Sequence, residues 1–453
     1  MRCKTWIKHL NFIFILLILF SLLLMAQSSF VLPLDDDIIQ YAAAPKDDPI
    51  ARLQEQINKG EVQLEFVQPQ GYLLSVLKQL RVPLSSQVLV FSKTSFQQHL
   101  ISPDAPRALY FNDNVYIGWV QGGDLLEASS VDPEKGAMFY TLDQKKSVTP
   151  KFVRREECIQ CHASPNTLGV PGHIVRSVYP DRQGIPQLQA GSFRTDDTSP
   201  FKERWGGWYV TGTHGSQRHM GNIMVTDKEH PDNLDLDKGA NVTNLWRLVD
   251  LSPYAGHHSD IVALMVLEHQ TRMHNLLTRV NWETRMAISQ QEAMNRALDL
   301  PPGQWSDATR RRVNGTVESM LKYMLFSEET KLLEPVKGTS GFEEEFVKTG
   351  PRDRNGRSLR DFDLKTRLFR YPCSFLIYSQ AFDALPKPAQ DQVYRRLWGI
   401  LTGQEQSKDF ASLNRSDREA ICQILLDTKQ NLPDYWKSDQ KTSLALSNHP
   451  AAQ

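Results

Sequence analysis

The clearest structural signal in this chain is the run Leu109-Tyr110-Phe111-Asn112-Asp113-Asn114-Val115-Tyr116-Ile117-Gly118-Trp119-Val120. Aromatic and β-branched side chains favour strands, whereas Asn and Asp tolerate the backbone geometry of a turn. The run therefore predicts two antiparallel strands joined by a turn at Asn112, Asp113 and Asn114. Residues 125–129 and 137–142 continue the pattern across further turns. Together the four segments predict an antiparallel meander.

Beyond the meander the pattern stays strand-like and then becomes helical. Further short strands are predicted at residues 174–179, 188–193, 207–213 and 222–226. From residue 259 onward apolar side chains such as Ile261, Leu264 and Met265 recur with a helical period. Pro301 and Pro302 end this element, and Ser306 caps the next one. We therefore predict an α+β fold, with a β-rich N-terminal domain followed by an all-helical C-terminal domain.

Length and composition limit the classes of protein to consider. The chain has 453 residues, and single hydrophobic cores stop growing near roughly 250 to 300 residues, so two domains are expected. Hydrophobic residues make up 40% of the chain, which is enough to build a core. Lys plus Arg and Asp plus Glu both number 52, so no surplus of positive charge favours binding to nucleic acid.

The N-terminus has the pattern of an export signal. Arg2, Lys4 and Lys8 precede an apolar stretch at residues 12–25. This stretch is short for a membrane span, which needs roughly 20 apolar residues, so a cleaved signal peptide is favoured and an uncleaved membrane anchor stays open. Either outcome places the rest of the chain in the periplasm or another extracytoplasmic compartment, and an uncleaved N-terminus would anchor it to the inner membrane.

These patterns divide the chain into five predicted parts. The hydrophobic period changes near Leu251-Ser252-Pro253, where Pro253 marks a break. The predicted parts are a signal peptide or N-terminal membrane anchor at 1–27, a linker and first helix at 28–60, a β-rich domain at 61–252, a helical domain at 253–437 and a disordered tail at 438–453.

The residues that carry chemistry form the run Cys158-Ile159-Gln160-Cys161-His162. Two thiols at this spacing on one helical turn can each add to one vinyl group of haem, and the adjacent imidazole then meets the iron from the same side. A redox-active dithiol and a zinc site are the alternatives. The first lacks a surrounding βα unit, and the second lacks a further Cys or His pair at close spacing.

On these residues the chain resembles the c-type cytochromes. The resemblance places Cys158 and Cys161 at the thioether positions and His162 as the proximal iron ligand, and it implies one covalent haem c in the β-rich domain. The segments 109–142, 204–209 and 356–378 also resemble exported bacterial cytochrome-like proteins of unassigned function. The motif lies far from the start of its domain and among predicted strands, so an all-helical cytochrome c fold is not expected.

The sixth iron ligand is sought among Met and His residues. The loop from His214 to Met220 concentrates such side chains between glycines, and we favour Met220 or His219 over His214, His173 and His269. An open sixth position remains an alternative. The arginines considered for the haem propionates are Arg176, Arg194, Arg204 and Arg218.

Electron transfer in the periplasm with a redox partner protein is the function that these features favour. The alternatives are a haem-based redox or gas sensor and a haem-dependent oxidoreductase or peroxidase with an open sixth site. Whether the protein is an enzyme therefore stays open, as does its oligomeric state. Cys373 and Cys422 are left over by the motif, and they either form a disulfide or remain separate thiols.

Overall fold

The computed structural model describes residues 31–43, 47–405 and 407–438. The predicted signal or anchor at 1–27 lies outside the described residues, and so does nearly all of the predicted tail. Within the described residues no helix combines the length and the apolar character that crossing a bilayer requires.

An antiparallel sheet of seven strands fills the N-terminal half, in the order β6-β5-β4-β3-β2-β1-β9. A separate pair is formed by β7 and β8. The strands are β1 (Val88–Val90), β2 (Arg107–Phe111), β3 (Val115–Trp119), β4 (Leu125–Asp132), β5 (Gly136–Asp143), β6 (Phe152–Arg154), β7 (Arg176–Val178), β8 (Ser192–Arg194) and β9 (Trp208–Tyr209). Consecutive strands from β2 to β6 pair with one another, so the predicted meander is confirmed.

Helices dominate the C-terminal half, and within the residues that the structure describes three shorter ones precede them. Their bounds are α1 (Pro49–Asn58), α2 (Leu73–Gln79), α3 (Ile159–His162), α4 (Ile261–Ala297), α5 (Asp307–Met324), α6 (Phe342–Lys348), α7 (Gln380–Asp383), α8 (Lys387–Leu401), α9 (Arg415–Thr428) and α10 (Tyr435–Ser438). The 37-residue helix α4 begins after Asp260, whose side chain accepts hydrogen bonds from the amides of Val262 and Ala263. Ser306 caps α5 as predicted. The α+β class predicted from the sequence is therefore confirmed at this level.

One predicted strand is wrong. Residues 222–226 form no strand, and only Val225 makes an isolated bridge. Asn222 has a positive φ of 67°. Its side chain accepts a hydrogen bond from the amide of Val210 and donates one to the carbonyl of Val210. A left-handed Asn that bonds the neighbouring backbone makes a turn, and a strand cannot pass through that conformation. The segment 188–193 is divided in the same way, because Leu188–Ala190 is a 3-10 turn and only its end belongs to β8.

The two faces of the sheet have different partners. Ile117 and Tyr140 point to the face that packs against α1 and α2. Asp48, the N-cap of α1, accepts hydrogen bonds from Ser130 and Tyr140 on that face. The opposite face carries Tyr116, whose hydroxyl accepts a hydrogen bond from Gln270 of α4. The long helix of the C-terminal half therefore covers the second face of the sheet.

Candidate functional site

The motif forms a short helical turn directly after the edge strand β6. Cys158 is the residue before α3, and its carbonyl accepts a hydrogen bond from the amide of His162 at 3.0 Å. Cys161 is exposed and Cys158 is half-buried. One turn of helix thus brings the exposed Cys161, the half-buried Cys158 and the largely buried imidazole of His162 together, which is the arrangement that covalent attachment of a planar macrocycle requires.

The His162 ring is held by one hydrogen bond to the backbone. Its Nδ1 lies 2.9 Å from the carbonyl oxygen of Gly172. Because a carbonyl only accepts, Nδ1 carries the proton and Nε2 keeps its lone pair. Burial also lowers the pKa of His162, which favours the neutral imidazole. A neutral histidine with its second nitrogen fixed by a carbonyl is the state in which His binds a metal.

The sheet face beneath the motif is built from long-range contacts. The Phe139 ring lies 4.6 Å from the His162 ring. Arg107 of β2 reaches across β3 to Glu127 of β4, with 2.6 Å between Nη2 and Oε2. A Cβ at Gly118 of β3 would come within 2.3 Å of the Arg107 guanidinium, so glycine is what allows the side chain to cross. This face therefore presents an aromatic ring and a partly buried ion pair beside the motif.

Burial is the main influence on the pKa of the Cys158 thiol. It raises the pKa of Cys158 to about 11, with the carboxylates of Glu127 and Glu157 acting in the same direction and Arg155 and Arg107 opposing them. Arg155 itself donates to Thr141 at 2.8 Å. The Cys158 thiol is thus protonated near neutral pH, and it has two arginines in its electrostatic surroundings.

The segment that follows the motif is fixed to α4. Asn275 donates to the carbonyl of His173 at 2.7 Å and accepts from its amide at 3.0 Å. Arg279 donates to the carbonyl of Leu168 at 2.6 Å. The buried His173 ring lies 4.1 Å from Tyr116, and its Nε2 is 2.7 Å from the Ser129 hydroxyl. The backbone that orients His162 is therefore positioned by the C-terminal half of the chain.

The predicted sixth ligands have other surroundings. His219 is buried with its ring 5.2 Å from Trp205 and 4.7 Å from His214. Its Nδ1 accepts a hydrogen bond from the amide of Gly221 at 3.0 Å, so the proton of the neutral ring is on Nε2. The Met220 sulfur lies 3.7 Å from the Ser177 hydroxyl. These contacts do not include the motif, and His219 and Met220 stay predictions for the axial position.

Two other predicted histidines are also placed. His173 shares the Phe139 ring with His162, at 5.7 Å from its own ring. His269 lies elsewhere, stacked on Phe326 at 4.4 Å. Of the histidines considered from the sequence, His173 is therefore the one that packs on the same aromatic ring as His162.

The predicted arginines are engaged away from the motif in the contacts that the structure gives. Arg204 is buried with Glu268 at 3.1 Å, and Arg218 pairs with Asp237 at 2.5 Å. Arg176 donates to Ser192, and Arg194 lies near Asp196. Sequence reasoning missed Arg107 and Arg155, which surround Cys158. The sequence signal for Arg155 was its place three residues before the motif, whereas Arg107 comes from a different strand and carried no such signal.

The described residues contain no group of three or more His, Cys, Asp or Glu side chains placed to hold a metal ion. All four cysteines of the described part, Cys158, Cys161, Cys373 and Cys422, are free thiols. Comparison of the chain with protein-family models, with curated proteins and with solved structures finds no match.

Proposed function

We propose that this protein is an exported c-type cytochrome that carries one haem, held by Cys158 and Cys161 through thioether bonds and by His162 at the iron, and that it exchanges electrons with a redox partner in the periplasm. The observation that carries the proposal is the hydrogen bond between His162 Nδ1 and the carbonyl of Gly172. It gives the histidine next to the two thiols the tautomer of a metal ligand.

The two cysteines supply the attachment. The thiols of Cys158 and Cys161 would hold the haem by adding S–H across its two vinyl groups, an addition that needs no oxidant. Because Cys161 is exposed, haem can reach the motif from the solvent side. Bound haem supplies a one-electron couple at this position.

The protein's own residues tune and shield the site. The Gly172 carbonyl holds the proton on Nδ1 and increases the basicity of His162 toward the iron. Phe139 packs against the imidazole and excludes water from that side. Arg107 and Arg155, both in the electrostatic surroundings of Cys158, would pair with the propionates, because guanidinium groups bind carboxylates in a bidentate manner.

The surface position of the motif favours electron transfer over chemistry at a closed site. Cys161 is exposed, and the turn follows the edge strand β6. A cofactor held by these residues would lie where a partner protein can approach it. The identity of the sixth ligand, predicted as Met220 or His219, decides between a carrier and the sensor or peroxidase alternatives.

Haem staining of a denaturing gel tests the proposal. The full chain is expressed with a c-type maturation system, together with the double variant Cys158→Ala, Cys161→Ala. Cys422→Ala, which removes a thiol from α9, is the matched control. We expect a stained band in the unmutated protein and in the control, and none in the double variant. An unstained band from folded unmutated protein would overturn the proposal. A high-spin spectrum that responds to added small ligands would favour the sensor or peroxidase.

A further inference from the structure

A second feature of the molecule lies away from the motif. An open cavity of about 780 Å³ is lined by α4, α5 and the segment at residues 194–198. Neither Cys158, Cys161 nor His162 lines it. Leu168, in the segment after the motif, contributes to one wall. The cavity has the volume of a site for a small organic molecule.

The charge of the lining favours an anion. Six basic and five acidic side chains line the cavity. Burial, together with the nearby Asp197 carboxylate, raises the pKa of Glu329 to about 8, so this acid is protonated near neutral pH. Glu283 is shared by Arg279 and Arg312, and Asp196 lies 3.8 Å from both Arg194 and Arg272. Positive charge therefore remains in excess around the cavity.

The Asp197 side chain is held in place by a series of buried hydrogen bonds that runs through His269 to Ser374. Its Oδ2 is 3.3 Å from Nδ1 of His269, and Nε2 of His269 is 2.8 Å from the Ser374 hydroxyl. The His269 ring lies between Phe326 at 4.4 Å and Tyr323 at 5.3 Å. These contacts use one oxygen of Asp197 and set the orientation of its carboxylate.

Three polar atoms of the lining residues remain without a hydrogen-bond partner: Oδ1 of Asp197, Nη1 of Arg272 and Oγ of Ser327. Asp197 is only 3% exposed, and its Oδ1 is buried with no partner at hydrogen-bond distance. The Tyr323 hydroxyl lies near this carboxylate, and burial together with the carboxylate raises the pKa of Tyr323. Nη1 of Arg272 is buried and donates none. Buried polar groups are nearly always hydrogen-bonded, because leaving one unsatisfied costs free energy. An acceptor and a donor left open on the residues of one cavity indicate a ligand that supplies both partners.

We propose that this cavity binds a small organic anion that also carries a hydroxyl group. The carboxylate or phosphate of the ligand is held by Arg272 and the basic side chains around it. The hydroxyl donates to Oδ1 of Asp197. The proposal does not depend on the haem, because it uses none of the residues assigned to haem attachment.

The test is calorimetric titration of the haem-loaded full chain with three probes. Malate carries carboxylates and a hydroxyl, succinate is the same acid without the hydroxyl, and glycerol 3-phosphate carries a phosphate with hydroxyls. We expect malate or glycerol 3-phosphate to bind, and the tighter of the two identifies the anionic group. If it is malate, succinate should bind about tenfold more weakly, which is the difference of one hydrogen bond.

Three variants assign the binding to these residues. Arg272→Gln should weaken all probes by about tenfold or more, since a charge-assisted hydrogen bond is lost. Asp197→Asn should remove the preference for malate over succinate while succinate affinity is kept or improved. Arg415→Gln, on the exposed surface of α9, is the control and should change nothing. Thermal unfolding of each variant shows whether it remains folded.

Three results would overturn the proposal. The first is the absence of binding by all three probes at millimolar concentration. The second is equal affinity of the unmutated protein and Arg272→Gln. The third is binding that appears only in haem-free protein, which would assign the cavity to the haem itself. Haem content, read from the absorbance of the same samples, keeps these outcomes separate from a failure of haem attachment.

Discussion

Asn275 of α4 and His173 of the segment after the motif are joined by two hydrogen bonds, one in each direction between the Asn side chain and the His backbone. The carbonyl that orients His162 belongs to Gly172, the residue immediately before His173. A side chain from the C-terminal half thus fixes the backbone on which the proposed iron ligand depends.

Replacing Asn275 tests this connection. In Asn275→Ala the amide and carbonyl of buried His173 lose their partners, and we expect the free energy of unfolding to fall by about 2 to 4 kcal/mol. Denaturant unfolding measures it. Asn58→Ala removes an exposed Asn that bonds Gln54, and it should cost less than about 0.5 kcal/mol. Equal effects of the two substitutions would contradict this assignment.

The orientation of His162 should be visible in the reduction potential. A Cβ at Gly172 would lie 2.2 Å from Oδ1 of Asn275, so Gly172→Ala displaces the Asn275 side chain that fixes the His173 backbone and loosens the adjoining carbonyl that holds Nδ1. A weaker hydrogen bond makes the imidazole less basic, which disfavours the oxidised iron, and we expect the potential to rise by on the order of 50 mV. Spectroelectrochemical titration measures the change. Gly399→Ala, where the nearest atom is 3.9 Å away, should leave the potential unaltered.

The sixth ligand is open to direct spectroscopic test. We expect a low-spin spectrum in the unmutated protein. Loss of a far-red sulfur-to-iron band in Met220→Ala would select Met220, whereas a low-spin spectrum without that band would point to histidine. His219→Ala and His173→Ala then separate the loop residue from the histidine that shares Phe139 with His162. A high-spin spectrum in the unmutated protein would contradict both predicted ligands.

The contribution of Glu329 to the stability of the protein should vary with pH between about 4.5 and about 8. Its pKa is about 8 in the folded protein, above the ordinary value of 4.5, so the folded state retains a proton that the unfolded chain releases. The stabilising contribution is complete below about pH 4.5 and is lost as the pH rises through about 8. We expect Glu329→Gln to become more stable relative to the unmutated protein as the pH rises from about 5 to about 9, by a few kcal/mol at most.

Glu419→Gln is the control for this pH dependence, because Glu419 is exposed and pairs with exposed Arg415. Its stability relative to the unmutated protein should stay nearly constant over the same range. A parallel pH dependence for Glu329→Gln and the unmutated protein would contradict the raised pKa.

The packing of α4 against the sheet leads to a prediction about the boundary near Pro253. The sequence predicts separable domains there, yet Phe111, Tyr116 and Val131 of the sheet share one hydrophobic cluster with the residues of α4. We therefore expect one cooperative unfolding transition by calorimetry, and a fragment that ends at Pro253 should not fold alone. A stable folded fragment with a low-spin haem spectrum would support the two separate domains instead.

Local patterns were sufficient to predict the meander, the long helix and the Ser306 cap. Alternation, period and capping residues are all properties of neighbours in sequence. The failed strand at 222–226 depended on one residue, Asn222, whose left-handed backbone overrides the strand preference of its neighbours. The pattern of apolar residues predicts the strands and helices themselves, but it does not predict how they pack against one another.

The surroundings of the motif could not be read in this way. Arg107 reaches Glu127 only because Gly118 on the strand between them has no side chain. Asn275 meets His173 across 102 positions of the sequence. Neither pairing has a local signature, since a lone Asn on a helix and a lone Gly in a strand each fit many roles. Recognition of the motif supplied the cysteines and the histidine, and tertiary packing supplied everything that orients them.

The short strand β6 has a consequence for how this protein behaves at high concentration. A strand at the border of a sheet can recruit another chain, and natural proteins limit that hazard with short, charged or covered borders. Arg154 of β6 donates to the carbonyls of Tyr41 and Ala42 and lies 4.7 Å above the Tyr41 ring, so the N-terminal segment is attached alongside this border. Trimming of the chain beyond Ala42 would uncover this border and would also remove Ile39 and Tyr41 from the core, so such a shortened protein is exposed to self-association through bare backbone as well as to lost stability.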